Sequence, residues 1–533
     1  MKVQIKNLRW IFILSILFSL SSCLDDLDVT PKDDDEFTSE DFYKDPKVYK
    51  QFLAKIYAGF AVTGQSGPTG SSDLGSGPGT VDEGFSQYLR GYWQLQELTT
   101  DEAIIAWGES DNPTIKDLNF NTWNADNVFN EAFFARVFFQ IGLCNEFLRE
   151  TSESKLNQRG VSDELKNEIK RYRAEVRFLR ALSYYHGIEI YGKLPFGTDA
   201  DFLGTPPIMQ SREFVFNYIL DELNAINDDL AEPRTNEYAR ADKAAAWMLK
   251  SKLLINSKVY TGIDRSADAL IAVNQVISSS YKIAQIPFAN LFKADNNTNG
   301  AQEEIIFPIT FDGDKSKTWG GTTYLIHASC DNPTGITLGI DFGWQGYRVR
   351  KEFVESVGNS DPRIMYVAGN NDPASISDYT KFAQGKKLTK FSNKNSDGTD
   401  GKGKTFPDTD FPMFRMADAY LMYAELAVVN GQGSIATALQ YINDLRARAG
   451  AEPALLSELN ADFILNERAK ELYWEGYRRQ DLIRFGKYLD GYTWQWKGGT
   501  QSGQSLTSNK LLFPIPNKEL KANNNLSQNP GYN

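Results

Sequence analysis

Histidine and cysteine are scarce in this chain, which has two histidines and three cysteines among 533 residues. The sequence contains none of the patterns G-x-S-x-G, H-E-x-x-H and C-x-x-C, which mark serine hydrolases, zinc proteases and thiol or zinc sites. His186 shares a predicted helical face with Tyr185 and Ile188, which favours a core position, and His327 lies in a predicted strand without a nucleophile motif. The sequence therefore gives no support to nucleophilic or zinc-dependent catalysis.

Positive charge is in deficit. The chain carries 57 lysine and arginine residues against 69 aspartate and glutamate residues, a formal net charge of −12. A nucleic-acid partner needs a basic face, and broad adhesion to anionic lipid needs one as well. The composition therefore argues against both kinds of partner.

Long apolar runs are missing too. The N-terminal run from Trp10 to Leu20 has 11 residues, follows three basic residues and precedes Leu-Ser-Ser-Cys23. A helix that spans a bilayer needs about 20 apolar residues, so this run predicts a cleaved signal peptide over residues 1–22. The four residues ending at Cys23 are typical of a bacterial lipobox, so we expect Cys23 to carry the lipid that anchors the mature protein to a membrane. The alternative is an ordinary signal peptide with a chance cysteine.

Two cysteines remain after Cys23. Cys144 and Cys330 could form a disulfide, since the sequence does not show their separation. The alternative is a buried free thiol, which the apolar helical run around Cys144 favours.

The composition after Cys23 changes along the chain. Residues 23–40 are acidic and contain proline, which predicts a solvated tether. Residues 41–280 show apolar residues at helical spacing and predict a helical N-terminal region, interrupted by a glycine-rich loop region at 64–112. Its closely spaced alanines resemble tetratricopeptide helix pairs.

The C-terminal region, residues 281–533, begins with a different amino-acid composition, dominated by Gly, Asn, Asp and aromatic residues. Residues 281–412 predict an irregular lobe with short strands in EEIIFPITF and TTYLIHA. Final helices follow, the last of them predicted over 462–488. The expected fold is therefore mainly α, with helix pairs carrying a large loop-rich lobe and a few short strands.

Aromatic residues are abundant, and three tryptophans have unusual surroundings. Trp107, Trp319 and Trp344 lie among Gly, Asp, Asn and Ser rather than in apolar runs. Exposed indole faces stack on the C–H patches of sugar rings, while nearby polar side chains bind the hydroxyls. The alternative, equally open at this point, is that each tryptophan attaches a loop to the core.

Acidic residues offer two further chemistries. The pairs Asp82-Glu83 and Asp101-Glu102 could serve glycoside hydrolysis, although adjacent residues of an extended chain point to opposite sides. The oxygen-rich runs 293–304 and 406–412 could bind calcium, although neither has EF-hand spacing and Asx turns explain each run alone. We rank hydrolysis below simple binding, and a calcium ion joining the two runs would need them close in space.

Five segments carry a recognisable family pattern. They are RYRAEVRFLRALSYYHGIEIYGKLPF (171–196), EPRTNEYARADKAAAWMLKSKLL (232–254), FPDTDFPMFRMADAYLMYAEL (406–426), NERAKELYWEGYRRQDLIRFGKY (466–488) and FPIPNKELKANNNLSQNPGY (513–532). With the lipobox, they resemble the SusD/RagB family of outer-membrane nutrient-binding lipoproteins over nearly the whole chain. The resemblance implies four tetratricopeptide-like helix pairs, a SusC-like TonB-dependent barrel as partner, and no enzymatic activity. The acidic tether resembles a signal for export to the outer cell surface in lipoproteins of Bacteroidetes-type bacteria.

The resemblance also implies site residues, by comparison with the family's starch-binding founder. Stacking falls on Trp107, Trp319 and Trp344, and hydroxyl recognition on Asp82, Arg90 and Ser110. Trp319 replaces a tyrosine, Ser110 replaces an asparagine, and Ile105 replaces a second tryptophan. A structural calcium site would use Asp295, Asn297, Asp408 and Asp410, and no cofactor is required.

The sequence thus predicts a surface lipoprotein that captures an α-glucan, starch or malto-oligosaccharide, and passes it to the barrel. Three alternatives remain: the same role with another glycan or a peptide, a glycoside hydrolase, and a purely structural scaffold.

Overall fold

The structure, a computed structural model, describes residues 39–65, 67–68, 72–75, 82–110, 112–368 and 373–532. The predicted signal peptide, Cys23 and nearly all of the predicted tether lie outside these residues. Within them the α-helices, α1 to α19 in chain order, are Ser39–Phe42, Lys47–Ala58, Tyr88–Glu97, Ile115–Phe120, Val128–Glu150, Glu153–Gln158, Asp163–Tyr191, Arg212–Ala225, Lys243–Ile255, Ser257–Thr261, Ser266–Ile277, Gly321–Ala328, Asn332–Thr337, Lys351–Val357, Met416–Val428, Ile435–Ala449, Ala461–Leu472, Arg478–Arg484 and Asn517–Ala522.

The strands are few and short. In the same residues, β1 to β6 are Ile104–Ile105, Leu194–Phe196, Ile208–Gln210, Ile305–Ile309, Tyr347–Arg348 and Phe411–Arg415. Short 3-10 helices lie at Phe288–Phe292, Ala301–Glu303, Leu456–Glu458, Lys497–Gly499 and Ser508–Leu511.

The long helices pack in pairs. Helix α5 packs against α7, α9 against α11, and α15 against α16, while contacts of α7 with α8 and of α11 with α15 join the pairs. Small buried residues such as Ala245, Ala269 and Ala272 allow the backbones of α9 and α11 to approach closely. The predicted architecture of helix pairs carrying a loop-rich lobe is confirmed.

The described residues form three two-stranded antiparallel sheets, and the first of them connects the lobe to this scaffold. They pair β1 with β5, β2 with β3, and β4 with β6. In the first, Ile104 lies opposite Arg348 and Ile105 opposite Tyr347. Trp107 and Trp344 stand just beyond the ends of these strands, so the sheet brings two distant parts of the chain together.

Three local predictions are wrong. The predicted loop region 64–112 contains a fully buried helix, α3, and strand β1. The run TTYLIHA is helix α12, not a strand, because its side chains are buried all round and leave no periodicity to read. The predicted helix 462–488 is two helices, α17 and α18, separated by a break in which Trp474 has φ 60° and Gly476 φ 85°. The carboxylate of Glu97 accepts hydrogen bonds from the backbone N–H groups of Gly476 and Tyr477, and that of Glu102 accepts one from Trp474. These bonds take the place of helical ones.

A buried ion network joins the lobe to the last helices. Arg415 contacts Glu304 at 2.9 Å, Glu471 at 2.7 Å and Glu475 at 2.7 Å, and all four side chains are fully buried. Arg448 also bonds to Glu304 and Glu471. Because each charge has charged partners, the network fixes the relative position of β4, β6 and α17.

Cys144 and Cys330 are both buried free thiols, so the disulfide alternative is wrong. Burial raises the pKa of each thiol to about 12. No helix among the described residues combines the length and the apolar character that crossing a membrane requires.

Candidate functional site

The three predicted tryptophans form one continuous aromatic surface. The ring of Trp344 lies 6.2 Å from that of Trp107, at an interplanar angle of 48°. It lies 6.0 Å from the ring of Trp319, at 52°. All three rings are half-buried. We call Trp107, Trp344 and Trp319 the aromatic arc, because each ring is tilted against the next.

Backbone and side-chain contacts fix the Trp107 end of the arc. Its indole N–H donates to the main-chain carbonyl of Trp344 at 2.9 Å. Gly346 leaves room for the ring, since a Cβ at Gly346 would lie 3.2 Å from Cε2 of Trp107. Tyr324 packs edge-on against Trp107 at 5.9 Å.

Glu83 holds the Trp319 end. Its carboxylate accepts hydrogen bonds from the Trp319 backbone N–H at 3.0 Å and from the hydroxyls of Thr63 and Thr318, each at 2.6 Å. Glu83 is buried, so these three donors hold the side chain in one position. Glu83 is therefore a positioning residue beside the arc, which the sequence comparison did not single out.

Arg90 also contacts the Trp319 end. Its guanidinium lies between the rings of Phe85 and Tyr324, 5.0 Å and 4.2 Å from their centroids, and Nη1 donates to the Trp319 carbonyl at 3.2 Å. Arg90 is only 5% exposed. Its first role here is to hold Trp319 in place, with one edge of the guanidinium turned toward Gly84.

Asp82, Arg90 and Trp319 converge on the space beside Gly84. A Cβ at Gly84 would lie 2.6 Å from Arg90 Nη1, 3.1 Å from Trp319 Cβ and 3.4 Å from Asp82 Oδ1. Asp82 is exposed, and its Oδ1 accepts a hydrogen bond from the Phe85 backbone N–H at 3.1 Å. Glycine thus keeps open a polar gap at the edge of the arc.

Two more aromatic contacts belong to this surface. Phe406 lies 4.9 Å from Trp319 at 53° and continues the arc beyond it. His327 stacks on Trp344 at 4.7 Å and 26°, and its ring nitrogens lie 2.7 Å and 2.9 Å from the carbonyl oxygens of Phe342 and Thr405. Burial lowers the pKa of His327. Like the three tryptophans, Phe406 is an aromatic residue among Gly, Lys and Asp, so the sequence could have indicated it. Nothing in the sequence around His327 indicates its place beside the arc.

Ser110 and Ile105 are the two replacements relative to the founder's pattern that do not keep the type of side chain. Ser110 is exposed three residues after Trp107, and within the described chain no hydrogen bond joins it to the arc. Ile105 is fully buried opposite Tyr347 in the β1–β5 pair and offers no face to a ligand. The structure therefore brings five of the six predicted ligand residues together and leaves Ser110 at the margin.

Three of the four candidate calcium ligands are engaged by hydrogen-bond donors of the protein. Asp295 accepts hydrogen bonds from Ser396 and Asn299, whereas Asp408 accepts them from the backbone N–H groups of Gly313 and Lys402. Asp410 accepts from Tyr238 and from the Phe311 N–H, and Asn297 is exposed. In the portion of the chain that is described, no group of three or more His, Cys, Asp or Glu side chains could hold a metal ion. Calcium binding stays a prediction.

The acidic pairs considered for hydrolysis are mostly engaged elsewhere. Asp101 is fully buried and forms an ion pair with Arg478 at 2.7 Å. Glu102 and Glu83 are buried and accept backbone N–H groups, as described above. Only Asp82 of the four faces solvent.

Sequence comparison places this chain in a known family. A profile of the SusD family matches residues 309–532. The chain is 34% identical to the starch-binding protein SusD of Bacteroides thetaiotaomicron, over 576 aligned positions that cover 99% of each chain. The chain belongs to the SusD family. A SusD-like protein of Formosa agariphila, P2, is 24% identical over 78% of this chain and 83% of its own.

Solved structures of SusD-like proteins share the fold. A SusD superfamily protein from Parabacteroides distasonis aligns over 93% of this chain and 100% of its own, with a TM-score of 0.67 and 22% identity. Surface glycan-binding protein A from Bacteroides uniformis aligns over 91% of this chain and 99% of its own, with a TM-score of 0.68 and 20% identity. The predicted family and fold are therefore confirmed.

Proposed function

We propose that this protein binds an α-glucan, starch or malto-oligosaccharide, on the aromatic arc. The observation that carries the proposal is the continuity of the three rings, with centroid steps of 6.2 Å and 6.0 Å and tilts of 48° and 52°. Successive tilts give a curved surface, which suits the helical turn of an α-1,4-glucan better than a flat ribbon. The 34% identical relative is named as a starch-binding protein, which supports the same ligand class.

The side chains divide into two roles in this proposal. Trp107, Trp344 and Trp319 stack on sugar rings through their C–H faces. Asp82 and Arg90 line the polar gap beside Gly84 and bind hydroxyls there, the carboxylate as acceptor and the guanidinium as donor. Ser110 supplies a hydroxyl at the other end of the arc.

The protein acts in this account as a binder, with no cofactor and no chemical step. A lipid on Cys23 holds it at the outer membrane, facing outward, and a SusC-like TonB-dependent barrel receives the captured glucan. Replacing Cys23 by alanine should abolish surface display and leave glucan affinity of the purified protein unchanged. Co-purification of a TonB-dependent barrel from solubilised membranes tests the partnership, and its absence under conditions that retain the lipidated protein would contradict it.

A ligand panel separates the alternatives. Affinity gels containing starch, pullulan, dextran or β-glucan, with peptide titrations beside them, should show retardation by starch and pullulan alone. Preference for another glycan or for peptides would keep the family role and change the ligand. Sugar release from starch that is absent in Asp82→Ala would favour a hydrolase, and no binding at all would favour a scaffold.

A further inference from the structure

A separate cavity opens beside Trp107. It measures about 590 Å³, within the range of about 300–1,000 Å³ typical of small-molecule sites. The side chains used below that line it are Trp107, Asp331, Gln345, Lys381, Phe382 and Lys387. We call it the flanking cavity, since neither Trp344 nor Trp319 lines it.

The arc and the flanking cavity share one wall. Trp107 contacts Trp344 in the arc and also lines the cavity. Trp344 belongs to the arc, and Gln345, the next residue, belongs to the cavity. The arc and the cavity therefore meet at Trp107 and at the Trp344–Gln345 peptide.

Gln345 adopts a strained backbone in this wall. Its φ is 52°, in the left-handed region that non-glycine residues rarely occupy, and its side chain is exposed. The N–H of Gln345 donates to the Cys330 carbonyl at 2.9 Å, and that of Gly346 donates to the Ala328 carbonyl at 2.8 Å. Strain that the surrounding structure maintains is a feature of ligand sites, and here it turns Trp344 and Gln345 toward different spaces.

The opposite wall is a loop that a buried arginine holds in place. The guanidinium of Arg348 donates to the carbonyls of Gly346 at 3.1 Å, Tyr379 at 2.7 Å and Gln384 at 2.8 Å. Arg348 is fully buried in strand β5, beside the strand that leads to Trp107. The loop that carries Phe382 is thus fixed to the strands that carry the arc, and the cavity is formed before any ligand arrives.

The lining of the cavity has the same chemistry as the arc. Phe382 offers a half-buried ring, and Nζ of Lys387 lies 4.6 Å from the centroid of that ring. Gln345, Asp331 and Lys381 supply an amide, a carboxylate and an ammonium group. An aromatic face with hydrogen-bond donors and acceptors around it fits a hydroxyl-rich sugar ring.

We infer that the glucan groove continues past Trp107 into the flanking cavity, which binds sugar units beyond those held on the arc. The inference rests on the proposed function and deepens it. A short malto-oligosaccharide occupies the arc alone, whereas a longer chain also fills the cavity. Gln345 and Phe382 are then specificity residues for chain length.

The test compares two ligand lengths by calorimetry. Phe382→Ala removes the ring, and Gln345→Gly removes the amide while suiting the left-handed backbone. Both changes together should weaken maltoheptaose binding about three- to tenfold, the size of one lost stacking contact, and change maltotriose binding less than about twofold. Phe202→Ala, at a phenylalanine that is 89% exposed elsewhere, is the matched control and should change neither.

The outcomes are distinguishable. An equal loss for both ligands, or no loss for either, overturns the inference and leaves the proposed function standing. A wild-type protein that binds neither ligand overturns the proposed function and the inference with it. Because Gln345 is exposed, Gln345→Gly alone should fold normally and lose maltoheptaose affinity in the same direction, even if Phe382→Ala proves unstable.

Discussion

Trp107 donates its indole N–H to the main-chain carbonyl of Trp344, at 2.9 Å. This bond sets the angle between the two rings and satisfies the one polar group of the Trp107 side chain. The faces of the ring are left for apolar contact. The arc is thus arranged by edge contacts before a ligand binds, which lowers the entropy lost on binding.

Replacing Trp107 by phenylalanine tests this arrangement. Phenylalanine keeps a flat ring but cannot donate, so the ring is no longer held at one angle. We expect maltoheptaose affinity to fall by roughly 1 kcal/mol, between wild type and Trp107→Ala. Calorimetric titration measures it. An affinity equal to wild type would show that the hydrogen bond does not contribute.

Adding a methyl group at Gly84 should close the polar gap. The new Cβ would lie 2.6 Å from Arg90 Nη1, and Arg90 cannot move freely between Phe85 and Tyr324. We expect Gly84→Ala to weaken glucan binding and to cost about 1–3 kcal/mol of stability by overpacking. Gly108→Ala is the control, because no atom lies within 4 Å of its Cβ position. Equal affinities of the two variants would contradict the role of the gap.

Removing the Glu83 carboxylate should release the Trp319 end of the arc. In Glu83→Ala, the Trp319 N–H and the hydroxyls of Thr63 and Thr318 lose their acceptor, at a cost of about 1–3 kcal/mol. We expect a lower melting temperature and a weaker affinity for maltoheptaose. Glu109→Ala removes the same charge from an exposed site near Trp107 and should change stability little. A stable Glu83→Ala protein with full affinity would refute the positioning role.

The buried Glu97 and Glu102 pair predicts a pH dependence of stability. Burial raises the pKa of Glu97 to about 7, and burial together with the neighbouring Glu97 charge raises the pKa of Glu102 well above its usual value. The pKa of a glutamate in an unfolded chain is about 4.3. Between about pH 4.3 and pH 7 the folded state therefore binds more protons than the unfolded chain. The free energy of unfolding consequently falls as the pH rises through about 7.

Glu102→Gln should flatten that fall. The amide can donate to Glu97 and accept the Trp474 N–H without titrating. Thermal unfolding is measured from about pH 5 to 9. The free energy of unfolding of the variant should rise relative to that of wild type as the pH rises, by at most about 1.4 kcal/mol per pH unit for one proton. Parallel curves for the two proteins would mean that the pair does not hold the proton.

The fold could be read from the sequence where one face of a helix is apolar. Helices α11 and α16 each bury one stripe of residues at helical spacing, and both lie in regions that the sequence predicts as helical. The prediction of secondary structure failed where every side chain of an element is buried, as in α12. It also failed where a distant side chain replaces a hydrogen bond of the helix backbone, as Glu97 does at Gly476 and Tyr477. Neither situation leaves a local pattern in the sequence.

The site was predictable in its residue types but not in its geometry. The polar surroundings of Trp107, Trp319 and Trp344 marked them as unusual, yet sequence alone left the two interpretations equal. The structure shows the rings adjoining one another, because the β1–β5 pair places Ile105 opposite Tyr347, which lies 242 residues later in the chain. The flanking cavity depends on Arg348 contacts to carbonyls, which carry no sequence signal.

The most direct test of the account is a calorimetric titration with maltoheptaose. We compare wild type, the Trp107→Ala plus Trp344→Ala variant, and Trp247→Ala, which removes a half-buried tryptophan from helix α9. The account predicts binding by wild type and by Trp247→Ala, and a loss of at least about tenfold in the arc variant. Equal affinity of all three proteins, or no binding by wild type, would contradict it.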